Sequence, residues 1–232
     1  MTPSPRDFSR ELYPFLHAPA RDDGASLAVL RAAVQRSTLD KCADVIALRK
    51  EMLEEYSELA LHAARAMADC FRRGGKLLAF GNGGSATDAD DAAADCMAPP
   101  LAGWRSLPAI SLSSDSATVT AVANDVGLDS VFVRQIIALG ARGGEDIALG
   151  ISTSGTSSNV VAAFAEAKRR GMLCIAFTGY DGGAIARDGN VDFCFVARRE
   201  FVPRIQEGHA TLWHTLLELV QLSLTEHPEA AA

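Results

Sequence analysis

The sequence has 232 residues, of which 48% are hydrophobic and 22% are charged, and its formal net charge is −7. A chain of this length can bury one sizeable core, whereas its acidic balance argues against direct binding to nucleic acid, which favours basic surfaces. We find no apolar run long enough to span a membrane and no basic-then-apolar leader, so we expect a cytoplasmic protein without a membrane partner.

The N-terminal region predicts helices ahead of any strand. Residues 1–38 contain several prolines, and we interpret them as an irregular arm with a short helix at 24–37. Apolar residues then recur at helical spacing over 39–73, which predicts a long amphipathic helix ended by Gly74 and Gly75. Such a helix packs either on its own domain or on a partner subunit, and the sequence leaves both possibilities open.

Short apolar runs and helical patterns alternate along the rest of the chain. The runs are continuous rather than alternating, which indicates strands covered on both faces. Strand–helix alternation predicts right-handed βαβ units in an α/β fold, with a doubly wound five-stranded parallel sheet flanked by helices. The predicted strands are 77–81, 107–112, 146–151, 173–178 and 191–196, and the predicted helices are 85–96, 117–123, 131–139, 157–170 and 203–225.

The five cysteines form no CxxC pair, and most of them lie in apolar runs. Such cysteines usually behave as small apolar residues, so we expect buried, reduced thiols. They are Cys42, Cys70, Cys96, Cys174 and Cys194.

The segment 81–85, GNGGS, which we call the glycine loop, follows the first predicted strand and opens a helix. Glycine allows the backbone to come close to a ligand, the start of a helix offers free N–H groups to an anion, and Ser85 adds a hydroxyl. The loop has no P-loop lysine and no GxGxxG pattern, which argues against a nucleotide-dependent enzyme. A tight turn with a capping serine remains an alternative.

The segment 152–157, STSGTS, which we call the serine loop, also joins a predicted strand to a helix. Five of its six residues carry hydroxyls, more than helix capping needs. Hydroxyls and helix-end amides can bind the oxygens of a phosphate monoester without a buried cation. Because ligands bind beyond the carboxyl ends of such strands, the two loops together predict a phosphorylated small molecule as the ligand.

Five motifs resemble, in their order and spacing, those of the phosphoheptose isomerases of the SIS superfamily. They are GNGGS at 81–85, AND at 123–125, ISTSG at 151–155, TGYDGG at 178–183 and RIQE at 204–207. The resemblance runs from about residue 39 to residue 224. The resemblance implies an SIS sugar-phosphate-binding domain over 39–226 behind an arm at 1–38. It also implies a homotetramer with active sites at subunit boundaries.

The resemblance further implies which residues bind a phosphorylated sugar. The implied phosphate contacts are Ser85, Ser152, Ser154 and Ser157. The other implied substrate contacts are Asn82, Gly83, Gly84, Asn124, Asp125, Thr153 and Gln206. The implied reaction converts sedoheptulose 7-phosphate, or a related sugar phosphate, into D-glycero-D-manno-heptose 7-phosphate through an enediol, with Asp95 as the base and His214 as the acid.

The resemblance also implies a divalent metal, zinc in the family, held at positions that are Asp91, Asp95, Gln206 and His214 here. The family has histidine and glutamate at the first two positions, and carboxylates there shift the preference from zinc towards Mg²⁺ or Mn²⁺. Asp88, Asp91 and Asp95 share one helix face, which is either a solvated acidic face or a functional cluster. We expect His209 to be structural.

Two functions remain open at this level. The first is the isomerase. The second is a non-catalytic sugar-phosphate-binding regulator or adaptor like the DnaA initiator-associating protein, a relative in the same family. The aspartates at positions 91 and 95 favour the second reading, and the retained Gln206 and His214 favour the first.

Overall fold

The structure is a computed structural model that describes residues 27–141 and 143–226. The chain divides into two compact units, Met1–Cys42 and Ala43–Ala232, and the sheet and all the predicted site residues belong to the second. No helix in the described ranges is long and apolar enough to cross a membrane.

The first helix differs from the sequence prediction. Helix α1 runs without a break over Leu27–Arg72, whereas the sequence predicted a short helix at 24–37 and a second one from residue 39. No glycine or proline interrupts this segment, and the Thr38 hydroxyl donates to the Val34 carbonyl within the helix, so the chain stays helical through the predicted boundary. Residues 24–26 lie outside the described ranges.

Five parallel strands form one sheet in the order β2-β1-β3-β4-β5, which confirms the predicted α/β architecture. The strands are β1 (Leu77–Gly81), β2 (Ala109–Ser111), β3 (Ile147–Ser152), β4 (Leu173–Gly179) and β5 (Phe193–Ala197). Strand β2 is shorter than the predicted 107–112 because Pro108 has no N–H to donate, although its carbonyl still accepts from the Leu77 N–H.

Helices cover both faces of this sheet. They are α2 (Gly84–Met97), α3 (Ser116–Asp125), α4 (Val131–Leu139), α5 (Ser158–Arg169), α6 (Gly183–Arg187) and α7 (Val202–Glu226), with a 3₁₀ turn at Leu128–Ser130. The sequence analysis did not predict α6, whose five residues are too few to show a helical period.

Successive residues of β1 point to opposite faces of the sheet and define two cores. Leu77 and Ala79 pack into the core under α1, α2 and α7, while Leu78 and Phe80 pack into the core under α4 and α5. Both sets are fully buried, as expected for a parallel strand with both faces covered.

Burial of the cysteines follows the prediction only in part. Cys70, Cys96 and Cys174 are buried, but Cys194 is partly buried and Cys42 is exposed on α1. Burial raises the pKa of the Cys96 and Cys174 thiols to about 12, so both are protonated at neutral pH. The prediction was wrong for Cys42, because a helical period alone does not show which face of α1 is covered.

The sheet order places a crevice between β1 and β3. From β1 the chain passes through α2 to β2 on one side, and from β3 it passes through α5 to β4 on the other. The two connections therefore diverge at this point, which is the topological switch point where ligands bind in open α/β sheets.

Candidate functional site

The glycine loop and the serine loop lie side by side at this switch point. Gly81 at the end of β1 is in register with Ile151 near the end of β3. The Asn82 amide donates to the Asn159 Oδ1 at 2.8 Å, and the Asn159 amide donates back to the Asn82 Oδ1 at 2.9 Å. Since Asn159 is buried in the first turn of α5, this reciprocal pair ties the two loops together.

The hydroxyls of the two loops are not used as helix caps. The N-cap of α2 is Gly83, which has no side chain, and Ser157, the N-cap of α5, makes no side-chain capping hydrogen bond. The Ser152 and Ser157 hydroxyls lie 3.0 Å apart, and the Ser154 hydroxyl accepts from the Thr156 N–H at 3.2 Å. The capping alternative that the sequence left open therefore does not account for these hydroxyls.

The predicted substrate contacts in the two loops differ in how deeply their side chains are buried. Ser85 and Ser152 are buried, while Thr153, Ser154 and Ser157 are partly exposed. The serine loop thus presents polar groups to the crevice edge at the start of α5, where the free N–H groups favour an anion.

The glycine loop also meets the last helix. A Cβ on Gly84 would lie 2.0 Å from the Gln206 Nε2, so only glycine at this position lets the Gln206 amide rest against the start of α2. The sequence elements around 84 and 206, which are far apart along the chain, therefore converge at one point of the site.

The acidic face of α2 is partly buried against α7. Burial raises the pKa of Asp88 to about 6, and the charge of Asp91 acts in the same direction, whereas a side-chain hydrogen bond from Gln206 lowers it. Asp91 itself is exposed. Between α2 and α7 lies a cavity of about 90 Å³. It is lined by Asp88, Asp91, Ile151, Phe177, His209, Ala210, Trp213 and His214.

The two side chains predicted to transfer protons are neighbours. The His214 Nε2 lies 3.9 Å from the Asp95 Oδ2, and the Trp213 indole N–H donates to the same oxygen at 3.0 Å. The His214 side chain is 69% exposed and that of Asp95 is 26% exposed, so both can be reached from solvent.

Asn124 and Asp125 lie at the C-terminal end of α3, where both are exposed. The Asn124 amide donates to the Asp125 carboxylate at 2.9 Å, and no hydrogen bond among the described residues joins either side chain to the two loops. Their contact with a sugar stays a prediction.

Comparison with known proteins identifies the family of the chain. The sequence profile of the SIS domain matches residues 42–179. A phosphoheptose isomerase of Thermodesulfovibrio yellowstonii is 43% identical over 185 residues, which are 80% of this chain and 90% of the relative. The chain belongs to the phosphoheptose isomerase family. It is a phosphosugar isomerase with the SIS fold, and these relatives do not favour the alternative of a non-catalytic regulator.

Solved structures of this family superpose well on the chain. The phosphoheptose isomerase of Neisseria gonorrhoeae gives a TM-score of 0.74 at 36% identity and covers 81% of this chain and 98% of its own. That of Francisella tularensis gives 0.69 at 32% identity and covers 80% and 98%. About a fifth of this chain lies outside each of these two superpositions.

The residues at the implied metal positions do not form a zinc site in this family member. Asp91 is exposed, one Asp95 oxygen is engaged by the Trp213 indole, and His214 is the single nitrogen ligand of the set. Across residues 27–141 and 143–226, no three His, Cys, Asp or Glu side chains converge in a geometry that could hold a metal ion.

No functional role was predicted for Asn159, Trp213 or His209, which the structure places at the candidate site. Asn159 joins the loops, Trp213 orients Asp95, and His209 lines the cavity. Asn159 and Trp213 belong to apolar helical patterns without a motif of their own, so the sequence carried no signal for them. His209 stands five residues before His214, and that histidine pair was the available signal.

Proposed function

We propose that the protein interconverts sedoheptulose 7-phosphate and D-glycero-D-manno-heptose 7-phosphate, or a closely related ketose and aldose phosphate. The observation that carries this proposal is the pair of loops at the switch point, tied by Asn82 and Asn159 and supplied with hydroxyls that no helix cap uses. The names of the relatives supply the length of the sugar.

In this proposal the phosphate sits between the glycine loop and the serine loop. It accepts hydrogen bonds from the N–H groups at the starts of α2 and α5, where the helix dipoles favour negative charge. The hydroxyls of Ser85, Ser152, Ser154 and Ser157 complete its coordination. The acidic chain can thus bind an anion through local geometry, without a basic field.

Proton transfer is assigned to Asp95 and His214. Asp95 removes a proton from C1 of the ketose, the C–H electron pair forms the C1=C2 bond of an enediol, and the C2 carbonyl oxygen takes a proton from His214. Asp95 then returns its proton to C2, while His214 recovers a proton from the C1 hydroxyl, which becomes the aldehyde. The Trp213 N–H holds one Asp95 oxygen and leaves the other for the substrate.

We also propose that the protein is a homotetramer with active sites at subunit boundaries. An apolar groove of about 590 Å³ runs between residues 49–61 of α1 and residues 208–219 of α7. It is lined by Met52, Leu53, Tyr56, Leu212 and Leu219, among others, and Leu53 is 65% exposed. A groove of this kind is typical of a surface that another subunit covers.

The direct test is turnover of sedoheptulose 7-phosphate, followed by NMR through the aldose H1 signal and through deuterium incorporation from D₂O. The assay is run after EDTA treatment and again with added Zn²⁺, Mg²⁺ or Mn²⁺. We expect turnover, and we expect Asp95→Asn and His214→Asn to lose it. Absence of turnover with every ketose phosphate of five to seven carbons, under all metal conditions, would refute the proposal.

A matched binding experiment separates the site from the reaction. We expect sedoheptulose 7-phosphate to raise the Tm of the wild-type protein and to have no such effect on Ser154→Ala. Among the described residues the Ser154 hydroxyl contacts only Thr156 of its own loop, so its removal should leave the free protein intact and take away a phosphate contact. Stabilisation of the wild type without turnover would instead point to a binding protein.

A further inference from the structure

The cavity between α2 and α7 holds two buried polar atoms that no described residue satisfies. They are the Asp88 Oδ2 and the His209 Nδ1. Both residues line this cavity of about 90 Å³, and His209 is only 1% exposed. Buried polar atoms without a partner are costly, so each calls for a hydrogen-bond partner inside the cavity.

The His209 ring is fixed as an acceptor on the cavity side. Its Nε2 lies 2.8 Å from the Thr178 carbonyl oxygen at the end of β4, and because a carbonyl only accepts, Nε2 carries the hydrogen. Burial lowers the pKa of His209 to about 4, so the ring is neutral at physiological pH. The Nδ1 atom is therefore a bare acceptor.

Asp88 faces two ways. The Gln206 side chain lies near the Asp88 carboxylate and lowers its pKa, and the Gln206 Nε2 also rests against Gly84. The Asp88 Oδ2 faces no donor among the described residues. Two residues that line the cavity thus each carry an unpartnered acceptor, Asp88 Oδ2 and His209 Nδ1. One molecule that joins them must donate two hydrogens.

We propose that a water molecule in this cavity donates one hydrogen to Asp88 Oδ2 and the other to His209 Nδ1, and that Asp88 and His209 are positioning residues for Gln206. A sugar hydroxyl has a single hydrogen and can satisfy only one of the two acceptors. The cavity volume of about 90 Å³ is sufficient for a water, which needs polar partners and a cavity volume of roughly 10–15 Å³.

The consequence is a chain of contacts from the sheet to Gln206. It runs from the Thr178 carbonyl through His209, the water and Asp88 to the Gln206 side chain, whose Nε2 rests against Gly84. This chain fixes the orientation in which the Gln206 amide meets a substrate hydroxyl. This role of Gln206 rests on the proposed function, whereas the water site does not.

The first test is a crystal structure of the substrate-free protein at about 1.5 Å resolution or better. We expect one ordered water within hydrogen-bond distance, about 2.7–3.2 Å, of both Asp88 Oδ2 and His209 Nδ1. A direct contact between the two side chains, or a water that touches only one of them, would overturn the proposal. This measurement is independent of turnover, so it stands even if the proposed reaction fails.

The second test compares two replacements of His209. In His209→Gln the amide can still donate to Thr178 and offer an oxygen to the cavity, whereas His209→Met fills a similar volume without hydrogen bonds. We expect His209→Met to fold but to lower kcat/KM by about 10-fold or more, since small displacements of positioned groups cost rate, and we expect His209→Gln to restore most of the activity.

Asp90→Asn is the matched control on the same helix, because Asp90 accepts from Ser111 and Ser114 and does not line the cavity. It should leave kcat/KM within about twofold, because its hydrogen bonds lie outside the cavity and it has no hydrogen bond with Gln206 among the described residues. A His209→Met protein that keeps wild-type kcat/KM would overturn the positioning role, and so would equal losses in the Gln and Met variants.

Discussion

Gly84 shows how far one side chain can decide the geometry of the site. The added methyl group of Gly84→Ala would lie 2.0 Å from the Gln206 Nε2, the movable end of a side chain. We therefore expect the variant to fold normally and to lose about 10²-fold in kcat/KM, because the Gln206 amide is displaced by about an ångström or more. Steady-state kinetics and urea unfolding measure the two effects.

Gly83→Ala is the matched comparison for that prediction. A Cβ there meets open space, but the backbone has a φ of 57° and a ψ of −123°, a conformation that non-glycine residues rarely adopt. The replacement therefore costs roughly 1–3 kcal/mol in the free energy of unfolding. We expect Gly84→Ala to affect activity more than stability, and Gly83→Ala to show the larger loss of stability. A Gly84→Ala protein with unchanged kinetics would show that Gln206 does not act from this position.

His209 gives the protein a defined sensitivity to acid. Its pKa is about 4 in the folded protein against 6.5 for a free histidine, so the unfolded chain binds the proton first as pH falls. Stability from this group is complete above pH 6.5 and is lost as pH falls from 6.5 to 4. We expect His209→Gln to flatten this part of the stability profile, measured by urea unfolding between pH 4 and 7.

Asp88 acts in the opposite direction over part of the same range. Its pKa is about 6 in the folded protein against 3.8 for a free carboxyl, so the folded state binds the proton first and gains stability as pH falls from 6 to 3.8. We expect Asp88→Asn to make the wild-type loss of stability with acid steeper. Identical pH profiles for the wild type and both variants would contradict the burial of these two groups.

At the scale of elements, we expect the contact between the glycine loop and the first turn of α5 to govern phosphate binding. Asn159→Ala removes both amide hydrogen bonds to Asn82. Because a net hydrogen bond contributes about 1 kcal/mol, we expect sugar-phosphate affinity to fall on the order of tenfold. Isothermal titration calorimetry measures the change.

Ser158→Ala is the control for Asn159→Ala, because its hydroxyl donates to Asp129 outside the two loops. We expect the affinity of this variant to match the wild type. If Asn159→Ala binds as tightly as Ser158→Ala, the two loops do not act together on the ligand.

The elements themselves could be predicted to different degrees from the sequence. The runs at β1, β3 and β4 are continuous and apolar, and a parallel sheet needs this pattern, so their positions were predicted nearly to the residue. Pro108 shortened β2, and the glycine-free segment around Thr38 kept α1 helical, so the errors came from local backbone chemistry that outweighed hydrophobic pattern.

Within the site, the sequence could indicate the two loops because each is a motif of consecutive residues between a strand and a helix. In the glycine loop and the serine loop, the glycines and the hydroxyl residues are neighbours in the sequence and can be seen together. By contrast, the cavity needs Asp88 from α2 and His209 from α7 to meet through tertiary packing, and no spacing rule connects positions that are so far apart along the chain. The pairing of Asn82 with Asn159 has the same origin.

At the scale of the whole molecule, the groove between α1 and α7 predicts assembly. In the proposed tetramer a charge at the exposed residue Leu53 would be buried against a partner subunit. We therefore expect Leu53→Glu to be a smaller assembly than the wild type, as measured by light scattering after size-exclusion chromatography. Leu101→Glu places the same charge at another exposed leucine outside the groove and should keep the wild-type mass. A Leu53→Glu protein of unchanged mass would contradict this interface.

The proposed function requires that two loops from neighbouring strands bind one phosphoryl group. A crystal structure with sedoheptulose 7-phosphate tests this most directly. We expect phosphate oxygens within hydrogen-bond distance of groups from both the glycine loop and the serine loop. We expect C1 and C2 of the sugar to lie towards Asp95 and His214. A phosphate that contacts only one of the two loops, or that binds away from the β1–β3 switch point, would contradict it.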